Sequence, residues 1–555
     1  MKNSKYFLFA FLILSLSACE NDAFEDLKER ASQDNEENFE EFTNGNADFS
    51  TYVSLGNSLT AGFSDGALYR ISQQNSMPSI LAEQFSMLAN GGSFTQPLMN
   101  DNTGILLAGG NPLPGFGPRL VFDGSGPSPL PVPVDNGQEF GTDIISDNPT
   151  GPFNNLGVPG AKSFHLLAPG YGDFSGVVSN PPTANPYFVR MASSPGTTIL
   201  TDAIAQQPTF VSLWIGNNDV LGYALSGGDG SDPITPLEGP PGVGFQQTYQ
   251  AIVGSLVGNL PDLQGVLGNI PNVTAIPHFT TVPHDPLDPS NPDFGDQIPT
   301  LNSIYGAVNQ VFQALGETDR IIEFTTEAAN AVVIEDENLT DLSAEIAGAL
   351  APNPEFIAFV VSLGLPEQAA PQVAGLLGNA YGQARQATAN DLLVLPSSSV
   401  IGTVNTSSVA FLVSQGLPQT LAGQFSVEGI SLPLEDKWVL LPEEQDEIFN
   451  ATVEFNQVIS EAATANGFAL LDANALLDQI ATVGVSQNNL TLSSDLVTGG
   501  AFSLDGVHPT SRGYALIANE ILKAIDSTYE TNFEASGNLV DISNFNVTYS
   551  PSLLE

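Results

Sequence analysis

What most constrains this chain is a chemical reason for its two ends to meet. Near the start, a serine follows a short apolar run in Gly56-Asn57-Ser58-Leu59, and near the end a histidine closes Asp505-Gly506-Val507-His508. A serine hydroxyl is a poor nucleophile at neutral pH and needs a base within hydrogen-bond reach. Histidine suits that task because its pKa lies near the working pH. The chain has only four histidines, at 165, 278, 284 and 508, so candidates for the base are few. The length of 555 residues alone suggests three or four domains at ~150 residues each. If Ser58 and His508 act together, most of the chain instead belongs to one discontinuous domain carrying insertions.

Two further segments supply complementary chemistry. Asp505 stands three residues before His508, and a turn of that length folds a carboxylate back onto an imidazole, fixing its tautomer. A serine attack on a carbonyl also creates an oxyanion that needs preorganised N–H donors. Gly160, in Asn155-Leu156-Gly157-Val158-Pro159-Gly160, offers a backbone N–H with no side chain in the way. Asn218, in Gly216-Asn217-Asn218-Asp219, offers a side-chain amide. Thr51-Tyr52-Val53-Ser54-Leu55 and the run from Pro208 to Ile215 read as buried strands ending at these blocks. That places Ser58 and Asn218 at the carboxyl edge of an α/β sheet, where such folds bind ligands. Each block alone has an ordinary reading: Asp219 as a helix cap, Gly160 as a turn glycine, Asp505 to His508 as a plain loop. His165, His278 and His284 read as hydrogen-bonded surface residues, with a place in the cleft wall as the alternative.

Taken together and in this order, the four blocks resemble the SGNH/GDSL hydrolase family, named for its Ser, Gly, Asn and His. The matching blocks and their flanking elements cover about half of the chain. The resemblance implies a three-layer α/β/α sandwich with a parallel sheet. It also implies a serine esterase in which Ser58 attacks, His508 is the base and Asp505 orients it. The backbone N–H groups of Ser58 and Gly160 and the amide of Asn218 would form the oxyanion hole. The reaction needs no cofactor and no metal, and the substrate would be an ester, an acylated glycan or a lipid. One departure stands out: Asn57 replaces the aspartate usual in the first block. A competing expectation is a non-catalytic surface lipoprotein that binds glycans or lipids in the same cleft.

Lys2 and Lys5 precede a short apolar run over residues 6–16, followed by Leu16-Ser17-Ala18-Cys19. The run is too short to span a bilayer, so 1–18 reads as a signal peptide resembling that of a bacterial lipoprotein, with Cys19 as the lipidation site. Cys19 is the only cysteine, which excludes a disulfide within the chain. Residues 19–47 are acidic and read as a flexible tether, placing a catalytic domain over 48–555 in the cell envelope, at the outer membrane. Acidic residues following a lipidated cysteine also resemble surface-export signals. The 61 acidic and 13 basic residues give a formal charge of −48, which repels nucleic acid and anionic headgroups. Membrane contact is therefore expected through the lipid anchor alone.

Strands alternating with helices predict a parallel sheet covered on both faces. Asn272 to Ile276 reads as the fourth strand and Phe468 to Asp472 as the last. Between them, Ile448, Thr452, Phe455 and Ile459 mark one face of a helix from Pro442 that stops at Gly467. Insertions are expected at about 90–152, including a polyproline-like stretch from Pro127 to Pro133, and at about 285–435. The second contains predicted helices at Leu301 to Leu315 and Pro366 to Ala387. It also repeats Val361-Ser362-Leu363-Gly364-Leu365-Pro366 as Val413-Ser414-Gln415-Gly416-Leu417-Pro418. Its apolar residues from Phe356 to Leu363 read either as an acyl-binding cover or, in preference, as the insertion's own core. The acidic, proline-rich loop from Asp285 to Asp293 offers oxygen ligands of the kind calcium takes, but it lacks the spacing of a calcium loop.

Overall fold

The computed structural model describes residues 39–133 and 140–555. The signal peptide, Cys19 and most of the acidic segment lie outside the described residues.

Five parallel strands form the central sheet: β1 (Tyr52–Gly56), β2 (Asn155–Gly157), β3 (Phe210–Trp214), β4 (Gln264–Gly268) and β5 (Ala469–Leu471). Their spatial order is β5-β4-β3-β1-β2. The strands alternate between two apolar clusters, as the period-2 geometry of a strand requires. Val53, Leu55, Val211 and Leu213 face one cluster, while Tyr52, Phe210, Trp214 and Val266 face the other. Helices Phe245–Asn259 and Pro442–Asn466 bury their apolar stripes against the first face, and Met77–Ser86 and Ser511–Tyr529 against the second. The protein is thus a mixed α/β fold with helices on both faces of a parallel sheet.

A third large cluster is built from residues between Val282 and Leu441. Phe356 and Val360 are buried in it, so the apolar stretch from Phe356 to Leu363 serves chiefly to pack this region upon itself. Trp438 packs partly against this cluster and partly against the sheet's first face. The sequence repeat is one helix stop used twice. Helices Pro354–Ser362 and Thr406–Ser414 both run into a left-handed glycine, Gly364 and Gly416. The N–H groups of Leu365 and Leu417 then reach back to the carbonyls of Val360 and Leu412, as in a Schellman motif.

Several expectations need correction. The fourth strand is Gln264–Gly268, and Val273–Ala275 is a 3-10 turn. Pro271 and Pro277 bracket the predicted strand and donate no N–H, and the Asn272 side chain caps the turn at Thr274. The helix expected over 366–387 is Ala370–Tyr381. Beyond it, Ala384–Gln386 pairs as a strand with Val333–Glu335, and Arg385 is drawn to Asp336 and Asp391. Pro127–Pro129 is extended, as expected, but pairs antiparallel with Leu120–Phe122. The tether expectation fails at its far end. From residue 39 the chain is docked: Phe42 meets Phe533 edge-on, Asn46 N–H donates to Tyr529 O and Ala47 is buried.

Candidate active site

The strand order reverses between β1 and β3, the kind of switch point beside which open α/β sheets bind ligands at the carboxyl ends of their strands. Ser58 follows β1 and Asn218 follows β3. Asn57 ends the strand run by accepting Leu59 N–H at 3.0 Å, starting the short helix Ser58–Ala61 with Ser58 at its first position. Ser58 itself is 6% exposed. β2 runs so close to this helix that a Cβ on Gly157 would lie 2.3 Å from Ala61 N, and only glycine fits.

His508 Nε2 lies 2.9 Å from Ser58 Oγ, and His508 Nδ1 lies 2.8 Å from Asp505 Oδ2. Asp505 Oδ1 also accepts the backbone N–H groups of Val507 and His508, each at 2.9 Å, so the turn holds its own acid and base in register. Burial alone would raise the Asp505 carboxyl. The charge and ring N–H of His508, with these backbone donors, outweigh burial and hold it well below the usual carboxylate range. An ionised Asp505 accepts a hydrogen bond from Nδ1–H and so keeps the proton on that nitrogen, leaving Nε2 as the acceptor for the Ser58 hydroxyl.

A segment that the sequence reading passed over, Phe63 to Gly66, grips this turn. Gly66 N–H donates to Asp505 Oδ2 at 2.8 Å and Asp65 N–H to Ser503 Oγ at 2.9 Å, and Ser503 Oγ in turn donates to Asp505 Oδ1 at 3.0 Å. Asp65 Oδ1 accepts Leu504 N–H, and the Phe63 ring lies 4.6 Å from that of His508. Asp65 is buried and has a positive φ of 53°. Burial first, and the nearby charge of Asp505 among the smaller causes, push its carboxyl up to about 6, against the Tyr69 hydroxyl that donates to it. The Asp65-Gly66 pair is a turn signal in the sequence, although nothing there says what the turn holds.

The oxyanion candidates come from two loops tied together. Asn218 Nδ2 donates to Ala161 O at 2.9 Å, leaving its second hydrogen free of any protein acceptor among the described residues. Asp219, expected at most to cap a helix, is buried and accepts Ser163 N–H at 2.8 Å and Ser163 Oγ–H at 2.7 Å. Gly160 lies between these anchors with φ 79°, and a Cβ there would meet only the Asn185 amide at 4.0 Å. Its backbone is left-handed and its open side faces away from packing. Neither Ser58 N–H nor Gly160 N–H has a protein acceptor among the described residues.

The other histidines divide. His165 Nδ1 accepts Lys162 N–H, and the ring stacks on Tyr171 at 4.3 Å; burial, then the Lys162 charge, lowers it to about 4. It props the loop after Gly160. His278 is buried beside the triad turn, donating its backbone N–H to Gly506 O, and neither of its ring nitrogens has a partner among the described residues. His284 lies 3.7 Å from Asp285. Near this edge is a cavity of about 840 Å³ whose wall includes Val282, Leu287, Phe294, Leu395, Ile401 and Val427. Leu395 also packs on Gly506, where a Cβ would lie 3.1 Å from its Cδ2.

No family model matches the chain, and neither a curated protein nor a solved structure matches it.

Proposed function

We propose that the protein is a lipid-anchored, extracytoplasmic serine esterase of the SGNH/GDSL type, a three-layer α/β/α sandwich with long insertions. The observation that carries this reading is the unbroken hydrogen-bonded path from Ser58 Oγ through His508 to Asp505. His508 Nε2 takes the Ser58 proton as Oγ attacks the ester carbonyl. The N–H groups of Ser58 and Gly160 and the free amide hydrogen of Asn218 receive the oxyanion. His508 then hands its proton to the leaving alcohol, and a water activated by the same nitrogen releases the acyl group from Ser58. Asp505 keeps the imidazole in the required tautomer and offsets its positive charge.

Labelling of the folded protein by a fluorophosphonate probe tests this reading, with Ser58→Ala as control. No labelling, or equal labelling of the variant, favours a non-catalytic lipoprotein that uses the cleft to bind glycans or lipids. A chain-length series of p-nitrophenyl esters assigns the substrate. Preference for acetyl points to an acylated glycan, and preference for long chains to a lipid seated in the cavity beside Leu395. Lipid on Cys19 would hold the enzyme at the membrane, since a charge of −48 repels anionic headgroups and nucleic acid alike.

A further inference from the structure

A second set of carboxylates shares no residue with the Ser58 site. Glu337 follows the strand Val333–Glu335, Asp436 opens the turn Asp436–Trp438, and Glu444 lies in the first turn of Pro442–Asn466. One carboxylate oxygen from each lies within 4.8 Å of the others. Two of the three segments belong to the region with its own core, and the third is the helix that covers the sheet.

The environment of Glu444 is what separates this cluster from ordinary acidic surface. The residue is only 4% exposed. Its Oε2 accepts Leu441 N–H at 2.6 Å, but Oε1 is buried with no donor among the described residues, and Asp436 Oδ1 is in the same condition. The backbone packs closely on this carboxylate: a Cβ on Gly228 would lie 2.1 Å from Glu444 Oε1. Among the described residues no lysine, arginine or histidine pairs with any of the three. The nearby Lys437 is engaged by Glu435, and Arg385 by Asp336 and Asp391. Buried carboxylates are normally paired or metal-bound. Left to themselves, burial first and then the neighbouring carboxylates push Asp436 and Glu444 well above the usual range.

We propose that Glu337, Asp436 and Glu444 bind a hard divalent cation, calcium or magnesium, that braces the 282–441 region against the helix Pro442–Asn466. Oxygen ligands sit about 2.3–2.6 Å from calcium and about 2.0–2.1 Å from magnesium, so two on one ion are at most about 4.6–5.2 Å or about 4.0–4.2 Å apart, and a separation within 4.8 Å suits calcium the better. The cation would take up the orphaned oxygens of Glu444 and Asp436 and cancel most of the local repulsion. Waters complete its coordination. The site stands independently of any activity at Ser58.

Calorimetric titration of the chelator-treated, full-length protein with calcium and with magnesium tests this, alongside thermal unfolding at matched ionic strength in sodium. The expected result is saturable heat and a Tm raised by several degrees, with the stronger response naming the ion. Glu337→Gln, at an exposed position that leaves folding undisturbed, and Asp436→Asn should each weaken binding by at least about tenfold and remove the Tm rise. Glu443→Gln, an exposed neighbour outside the cluster, should leave both unchanged. Absence of heat and of a Tm rise in the unmodified protein overturns the proposal. So does a response that survives in Glu337→Gln and Asp436→Asn, which would reflect screening of the acidic surface.

Discussion

Asn57 Nδ2 donates to Asn217 Oδ1 at 3.0 Å, and this one bond fastens the turn that carries Ser58 to the loop that carries Asn218. The other end of the Asn57 amide caps Leu59 N–H. Asn217 Nδ2 meanwhile is buried without an acceptor. Aspartate at 57 would keep the cap, and Asn217 could turn its amide to donate Nδ2 to the new carboxylate. Asn57→Asp should therefore retain activity and stability, whereas Asn57→Ala should lose about 1–3 kcal/mol, the cost of a cap plus a buried hydrogen bond. Denaturant unfolding and ester kinetics compare the two. Equal damage from both would mean that the Asn57 N–H itself, not the cap, holds the turn.

Ser58→Ala and His508→Ala should each lower kcat by about 10⁶-fold, and the double variant should be little worse, because members of a triad act as a unit. Additive losses in the double variant would break the assignment of His508 as the base for Ser58.

Asn218→Ala should reduce kcat by about 10²–10³-fold, or about 2.7–4 kcal/mol of transition-state stabilisation, with KM little changed. A raised KM at constant kcat would place Asn218 in ground-state binding instead. Circular dichroism guards against a trivial cause, since the Asn218 amide also holds Ala161 O.

Asp65 makes a pH prediction with a definite sign. Its folded pKa of about 6 lies above the ordinary 3.8 of an aspartate, so the folded state holds the extra proton between these values. Its contribution is therefore full below about pH 4 and is lost as pH rises through 6. The neutral-pH deficit is on the order of 3 kcal/mol, from about two units at 1.36 kcal/mol each. Asp65→Asn should gain stability relative to the parent as pH goes from 4 to 7. Urea unfolding across that range checks it, and a difference independent of pH would refute the shift. Asp505, whose pKa is depressed, carries the opposite sign: its contribution is lost on acidification.

Cys19→Ala should release the protein from membranes and leave its activity intact, because Cys19 lies well before Ser58 in the chain and has no partner cysteine within it. Membrane fractionation decides it. Unchanged membrane association would place the anchor elsewhere.

The site was more legible than the fold around it. Asp505 and His508 lie three residues apart, and Ser58 and Asn218 each follow an apolar run, so local sequence was enough to single them out. The grip of Phe63 to Gly66 on Asp505 was not legible, because it joins segments from opposite ends of the chain and its only local mark is an Asp-Gly turn. The fourth strand was misplaced because Val273 to Ile276 is as apolar as a strand, and the flanking prolines decided the outcome. The helix from Pro442 was readable to its last residue because proline and glycine punctuate both ends. The acidic cluster at Glu444 was invisible: its members become neighbours only when the 282–441 region folds back on the sheet.

That folded-back region also sets the order in which the sheet can be completed. β5 pairs with β4, and Asn269 and Asp472, whose side chains bond at 2.8 Å just beyond the two strands, are 203 residues apart in sequence. Loop closure over an unstructured stretch of that length is entropically slow to recover. With its own apolar core, the intervening chain can collapse first and bring the two strands within a much shorter effective tether. Until it does, β4 remains an open edge with unpaired N–H and C=O groups, the part of the nascent chain most exposed to wrong pairing with another copy.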